Sequence, residues 1–203
     1  MEKYIWSLDV STTNLGSALW DKSGKLIELK HLELKLGKNI TVEDREIHKA
    51  ELFRNYCVEY KKRIETEFNG EISNIIIEEP IGGSSVNVFT VNMLLSFNGI
   101  CRYILYNTFG IIPMKISVHE SRKLFLPEFI QTKRVKGNIV DVLSFPDEWK
   151  KDKKEYIRQK VAILEPQIEW FYDKNGNIKD TSFDMSDSYC CGHAGLKLLR
   201  ILK

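Results

Sequence analysis

Cysteine is scarce in this chain. Its four residues, Cys57, Cys101, Cys190 and Cys191, are spaced for neither a zinc knuckle nor a disulfide framework, and they read as reduced, mostly buried thiols. A surplus of one charge is also missing: 30 Lys and Arg stand against 28 Asp and Glu, a net charge of +2, so bulk charge does not announce a nucleic-acid partner. No apolar run reads as approaching the roughly 18 residues of a membrane span, so no membrane partner is expected. The opening residues Met1 to Trp6 lead directly into a strand pattern rather than a leader peptide. Repeats and low-complexity tracts are absent. These absences leave a soluble, cytoplasmic protein, and 203 residues with 43% hydrophobic content suffice for one domain with a sizeable core.

The pattern along the chain is alternating. Tyr4 to Val10, Leu15 to Trp20 and Leu26 to Leu34 read as three strands joined by turns at 11–14 and 21–25, an antiparallel meander. Lys35 to Asn39 is a loop. From Val42 to Phe68 the residues Ile47, Ala50, Phe53, Cys57, Tyr60, Ile64 and Phe68 form one helical apolar stripe, with Thr41 as N-cap and Asn69-Gly70 as terminator. Ile75-Ile76-Ile77 predicts a strand buried on both faces. The loop Gly82 to Ser85 follows, then a helix from Val86 to Asn107 closed by Gly110. A strand over Ile112 to Ile116, a short helix over Val118 to Phe125 and a helix over Lys153 to Leu164 come next. Residues 126–150 carry Pro127, Gly137 and Pro146 and read as the least regular part. Lys174-Asn175-Gly176 predicts a type I′ hairpin within 169–181, and Asp184 to Leu202 a final helix. The order implies an α/β fold: a central mixed five-stranded sheet, meander plus parallel strands, flanked by helices.

Four carboxylates stand where chemistry would need them. Asp9 ends the first strand, Glu78 ends the buried fourth, and Asp184 and Asp187, three residues apart, share one face of the last helix. Strand ends of an open α/β sheet form its ligand crevice, and if the first and fourth strands are neighbours, Asp9 and Glu78 enter one cleft. Four acids in a small volume repel one another. Hard divalent cations relieve this, and oxygen ligands suit Mg²⁺ or Mn²⁺. Two such ions at one centre are the expected cofactors for phosphodiester hydrolysis. Between Lys115 and Lys160, 12 Lys and Arg face 7 Asp and Glu, a locally basic segment beside the acidic pocket. Each feature also has a plainer reading: Asp9 as a turn former, Asp184 as an N-cap with Asp187 favoured by the helix dipole, and the basic segment as a solvated surface.

At this point the chain resembles the RuvC-type junction resolvases of the RNase H-like superfamily, over most of its length. Ile5-Trp6-Ser7-Leu8-Asp9-Val10-Ser11 is similar to the family's opening strand, with its catalytic aspartate at Asp9. Ile75-Ile76-Ile77-Glu78-Glu79 resembles the second motif, the matching acid being Glu78 and not Glu79. Asn98-Gly99-Ile100-Cys101 resembles a small-residue helical step. In the helix over Val118 to Phe125, Arg122 or Lys123 matches a DNA-contacting lysine. Lys153-Lys154-Glu155 opens a helix where Lys154 best matches a basic residue near the scissile phosphate, and Asp184-Met185-Ser186-Asp187 resembles the closing Asp-x-x-Asp motif. The resemblance implies a dimeric, Mg²⁺-dependent endonuclease that nicks Holliday junctions. Asp9, Glu78, Asp184 and Asp187 would hold the ions, Lys154 would stabilise phosphate charge, and Ser11, Arg122, Lys123 and Lys153 would contact DNA. Two departures stand out. The stretches 126–150 and 168–182 look like insertions into the family core, as in its divergent virus- or organelle-type members. The position of the bacterial type's base-prising aromatic is close to Ile81, which implies that flaps and forks are substrates too.

Two other readings share these residues. Leu8 to Gly16 followed by a hairpin also resembles the phosphate-binding opening of actin-like and sugar-kinase ATPases, which measurable ATP hydrolysis would favour. A catalytically silent DNA-binding module on the same scaffold would bind junctions in Mg²⁺ without cutting. His119 and His193 lack the partner spacing of a zinc site.

Overall fold

The structure is a computed structural model and describes residues 1–37, 40–41, 44–80, 87–135 and 138–202. The meander forms as expected: β1 (Glu2–Val10), β2 (Asn14–Asp21) and β3 (Leu26–Glu33) are antiparallel neighbours. Helix α1 (Arg45–Thr66) leads into β4 (Gly70–Glu79), and α2 (Val88–Phe109) into β5 (Met114–Ser117). The sheet order is β3-β2-β1-β4-β5, with β4 parallel to both β1 and β5. The first and fourth strands are therefore neighbours.

Strand alternation divides the core into two layers. Trp6, Leu8, Ile75 and Ile77 face α1 and α2, where they meet Phe53, Cys57, Phe97 and Cys101. Ile5 and Ile76 face the other way, onto α3 (Val118–Phe125), α4 (Lys153–Leu164) and α5 (Asp180–Leu198), where they meet Phe125, Ile157, Val161 and Tyr189. All four cysteines are buried and free.

Several boundaries differ from the sequence expectation. Thr41 does not cap α1; its hydroxyl bonds Asp44, the N-cap residue, from outside the helix. Val42 and Glu43 lie outside the described residues, as do Lys38, Asn39 and residues 81–86, which include Ile81, the expected loop Gly82 to Ser85 and Val86, the expected start of the second helix. Ile47 sits in the first turn of α1, ahead of the buried stretch that begins at Phe53, and is 64% exposed. The helix stops at Thr66, so Phe68 leaves the stripe and packs edge-on against Tyr4 at 5.7 Å. Asn69 takes the left-handed turn (φ 48°) and Gly70 already belongs to β4. Gly110 closes α2 in the left-handed conformation as expected. Among the described residues α2 is long and apolar enough to cross a membrane by length and composition alone, although polar residues interrupt its apolar runs. Phe97, Cys101, Ile104 and Leu105 of that helix are buried against the sheet.

The described residues of the stretch 126–150 are more regular than expected. They form a two-stranded antiparallel ribbon, β6 (Ile130–Val135) and β7 (Asn138–Leu143), between short 3-10 turns at Pro127–Phe129 and Asp147–Trp149. The flanking prolines obscured a segment rich in β-branched residues. Around 169–181 the reverse holds. The ladder shrinks to one bridge, Tyr172 with Ile178. The turn is held by the Asp173 carboxylate, which accepts the N–H groups of Asn175 and Asn177. Only Gly176 has positive φ there, whereas a type I′ turn needs two such residues.

Candidate active site

On β1 the alternation that buries Ile5 beneath α5 also sends Ser7 and Asp9 to that face. On β4, Ile76 and Glu78 share the same face. Leu8 pairs with Ile77 across the parallel ladder, so Asp9 and Glu78 stand side by side one residue further on. Glu79 takes the opposite face and pairs with Lys115. The Glu78 backbone is fixed from behind: the amide of Asn98, a buried residue on α2, donates to its carbonyl at 2.9 Å.

Helix α5 brings the other two acids. It begins at Asp180, four residues earlier than the sequence pattern indicates, with Lys179 as N-cap. Asp184 and Asp187 thus lie inside the helix, past its first turn, and neither caps it. The helix lies unusually close to the sheet. A side chain at Gly16 of β2 would fall 1.8 Å from the backbone oxygen of Asp184, and one at Gly192 would fall 2.3 Å from Ser7 Oγ. Ser7 Oγ bridges the two layers: it donates to the Ser188 carbonyl at 3.0 Å and accepts from Trp20 Nε1 at 3.0 Å. Since Gly16 is the β2 partner of Asp9, this approach sets Asp184 beside Asp9.

The electrostatics record the crowding. Burial pushes the Asp9 carboxyl up to about 8, helped by the charges of Asp187 and Asp184 and opposed by Lys154 and Arg122. Glu78, 9% exposed, is raised well above the carboxylate range, first by burial and then by Asp9 and Asp187. Asp184 is raised to about 6, again chiefly by burial. Asp187 is buried, with Arg122 Nη2 at 3.4 Å from one oxygen and Lys154 Nζ at 3.3 Å from the other. For Lys154, burial works against the ammonium, but Asp187, Asp9 and Asp184 outweigh it and hold the proton more tightly than usual.

The donor set suits a hard divalent cation. It consists of carboxylate oxygens, and Asp184 Oδ2 is buried without a hydrogen-bond partner. Among the described residues no three His, Cys, Asp or Glu side chains already form a cage for a metal ion. Both Asp187 oxygens face cations, so the cluster as placed is neutralised in part by the protein itself.

The remaining sequence-selected residues fall into different places. Arg122 joins the acid cluster, whereas its neighbour Lys123 turns away to bond the Asp141 carbonyl on the ribbon. Lys154 joins the cluster, whereas Lys153 lies 5.7 Å over the Phe145 ring. Ser11 follows β1 directly, but its hydroxyl is engaged in the turn, donating to the Asn14 carbonyl and accepting the Asn14 N–H, both at 3.0 Å. His193 packs on Phe125 and Tyr189, and burial depresses it to about 4. Two residues named in the sequence reading were given no part in positioning the acids. Gly16 was visible as a glycine inside a strand, which marks a close backbone approach. Asn98 was named only within the small-residue step of the resemblance, and its being polar in an apolar helix is the one physical signal of a buried contact.

No family model matches the sequence, and no curated protein is detectably similar to it. Solved structures do match. RuvC of Thermus thermophilus in complex with a Holliday junction substrate superimposes with a TM-score of 0.57 at 8% identity, covering 98% of this chain and 95% of that one. The fold is RuvC-like. A second structure of RuvC from the same organism gives a TM-score of 0.52 at 11% identity over 98% of both chains. The RuvC-like sheet with helices on both faces is the RNase H-like α/β fold expected from the order of elements. An inorganic polyphosphate/ATP-glucomannokinase from Arthrobacter aligns over 98% of this chain and 99% of that one, but with a TM-score of 0.44, too low to bear on function.

Proposed function

We propose that this protein is a metal-dependent, structure-selective endodeoxyribonuclease that nicks four-way junctions and other branched DNA. The observation that carries the reading is the meeting of Asp9 and Glu78, at adjoining strand ends, with Asp184 and Asp187 of α5. All four lie on one face of the sheet, with Lys154 and Arg122 beside them. The RuvC-like fold adds support, since one protein with that fold was solved on a Holliday junction.

Asp9, Glu78, Asp184 and Asp187 would hold two Mg²⁺ ions, with Mn²⁺ able to substitute. When bound, such ions supply an activated water and stabilise the leaving oxygen of a phosphodiester. The chain's own residues supply the rest. Lys154 and Arg122 place positive charge beside the acids, where the phosphate's developing charge is stabilised. Gly16, Ser7 and Asn98 fix the backbone from which the acids project, and Asp187 would exchange its contacts with Arg122 and Lys154 for the ions. A homodimer would place one such centre on each of two strands.

The test is a cleavage assay on a four-way junction, a flap, a linear duplex and a single strand, with Mg²⁺ or with EDTA. The expected result is nicking of the branched substrates in Mg²⁺, and none in EDTA. Nicking that persists in EDTA, or that fails on every branched substrate in Mg²⁺, would overturn the assignment.

A further inference from the structure

The base of the β6–β7 ribbon packs on the core through Leu143, but its outer half does not. Residues 131–134 and 138–141 are exposed on both faces of the ribbon, so its outer half contributes nothing to either core layer. A two-stranded ribbon in water is marginally stable by itself, and among the described residues this one is tied down at its base and midway along β7. There Ser144 N–H donates to the Phe129 carbonyl at 2.8 Å, Lys123 bonds the Asp141 carbonyl, and Phe129 and Phe145 pack on Tyr156 of α4.

The cross-strand register defines what the outer half presents. Arg134 pairs with Ile139 and Lys133 with Val140. Directly opposed residues of an antiparallel pair share a face, so one face carries Lys133 beside Val140, and the other carries Arg134 beside Ile139 with the Asp141 carboxylate, bonded by Thr132, further in. Ile139 is 75% exposed. A cation for phosphate beside an apolar group for sugars or a thymine methyl is a combination that suits DNA. The major groove, about 12 Å wide, admits a two-stranded ribbon, and six-residue strands reach roughly 20 Å.

The anchorage connects the ribbon to the acid cluster. It springs from the same two helices that reach Asp187. On α3, Arg122 bonds Asp187 while Lys123 bonds the ribbon. On α4, Lys154 bonds Asp187 while Lys153 lies over Phe145 at the ribbon's base. Resting on the nuclease reading above, we propose that the β6–β7 ribbon is a DNA-contacting arm that lies against a duplex arm of the substrate. It supplies binding energy beyond the centre where the strand is cut.

The test is equilibrium binding of a four-way junction in EDTA, across a range of salt, by the parent protein and the double variant Lys133→Ala/Arg134→Ala. Both side chains are exposed, so the variant is expected to melt with the parent. Its affinity should fall about tenfold or more at low salt. The slope of log affinity against log salt should become shallower by about 2, one for each lost phosphate contact. Unchanged affinity and slope in a parent protein that binds and nicks DNA would overturn the ribbon's role while leaving the nuclease reading intact. A variant that binds DNA normally but loses self-association would overturn it as well, and would make the ribbon a subunit contact. A parent protein with no affinity for DNA would sink both readings.

Discussion

Asp9→Asn is expected to bind a four-way junction as the parent does and to nick it about a thousandfold more slowly or worse, on the order of 4 kcal/mol of transition-state stabilisation. Asparagine keeps the size of the side chain and one neutral oxygen, and removes the charge that a hard cation requires. Loss of folding would be the usual competing explanation for a dead variant, and here it points the other way. Burial already pushes the Asp9 carboxyl up to about 8, so without an ion the site prefers a neutral group at this position. Asp9→Asn should therefore be at least as thermally stable as the metal-free parent. Single-turnover nicking together with a melting curve checks both halves. A stable variant with undiminished cleavage would remove Asp9 from the chemistry.

Gly16→Ala is expected to damage both stability and cutting. The added methyl carbon would lie 1.8 Å from the Asp184 carbonyl oxygen, 2.5 Å from its carbon and 3.0 Å from Ser188 Cβ. Backbone meets backbone at this contact, so no flexible side chain can swing aside, and α5 must move off the sheet. Overpacking of this kind costs about 3 kcal/mol at the upper end of its usual range, or roughly 6–12 °C in Tm for a chain of this size. The displaced segment carries Asp184, and a misplacement near 1 Å can cost about a hundredfold in rate. Gly99→Ala is the matched control. It lies in α2 with nothing within 4 Å of the added carbon, and alanine is the better helix former there, so that variant should melt no lower than the parent. Equal melting temperatures for the two variants would mean that α5 does not rest on β2 as described.

How far the sequence reveals this arrangement depends on the kind of signal. The sheet and its two long helices announce themselves through periodicity, and Ile75 to Ile77 mark the buried strand from which Glu78 emerges. Topology then follows from short connections, and with it the neighbouring positions of Asp9 and Glu78. The start of α5 is not legible in this way. Asp180 and Thr181 are polar and read as the end of the preceding hairpin, with Ser182 outside the helix, yet Thr181 and Ser182 are buried and Ser182 Oγ bonds the Phe171 backbone. Tertiary contacts extend the helix backward there, and that removes the capping account of Asp184. Division of labour between adjacent cations is equally invisible in the sequence. Arg122 and Lys123 are interchangeable as letters, and Lys154 is set apart from Lys153 by the resemblance alone. Helical rotation of about 100° per residue sends one of each pair to Asp187 and the other to the ribbon or its base. The ribbon itself was obscured because prolines at both ends suggested irregular chain.

If hard cations are what keep the four acids together, thermal stability against pH with and without Mg²⁺ will show it. Asp9 and Asp184 have folded values of about 8 and about 6, above the value near 4 of an unfolded aspartate. Each therefore contributes stability that is fully present below about pH 4 and is lost as pH rises through its folded value. Metal-free protein should melt progressively lower between pH 5 and pH 8 on their account. At pH 8, Mg²⁺ a hundredfold above its dissociation constant should restore about 2.7 kcal/mol, roughly 5–10 °C. The gain should shrink toward pH 5, where protons compete for the same oxygens, and should largely vanish in Asp9→Asn. A melting temperature indifferent to Mg²⁺ at pH 8, in a protein whose metal-free stability does not fall as the acids ionise, would contradict the account.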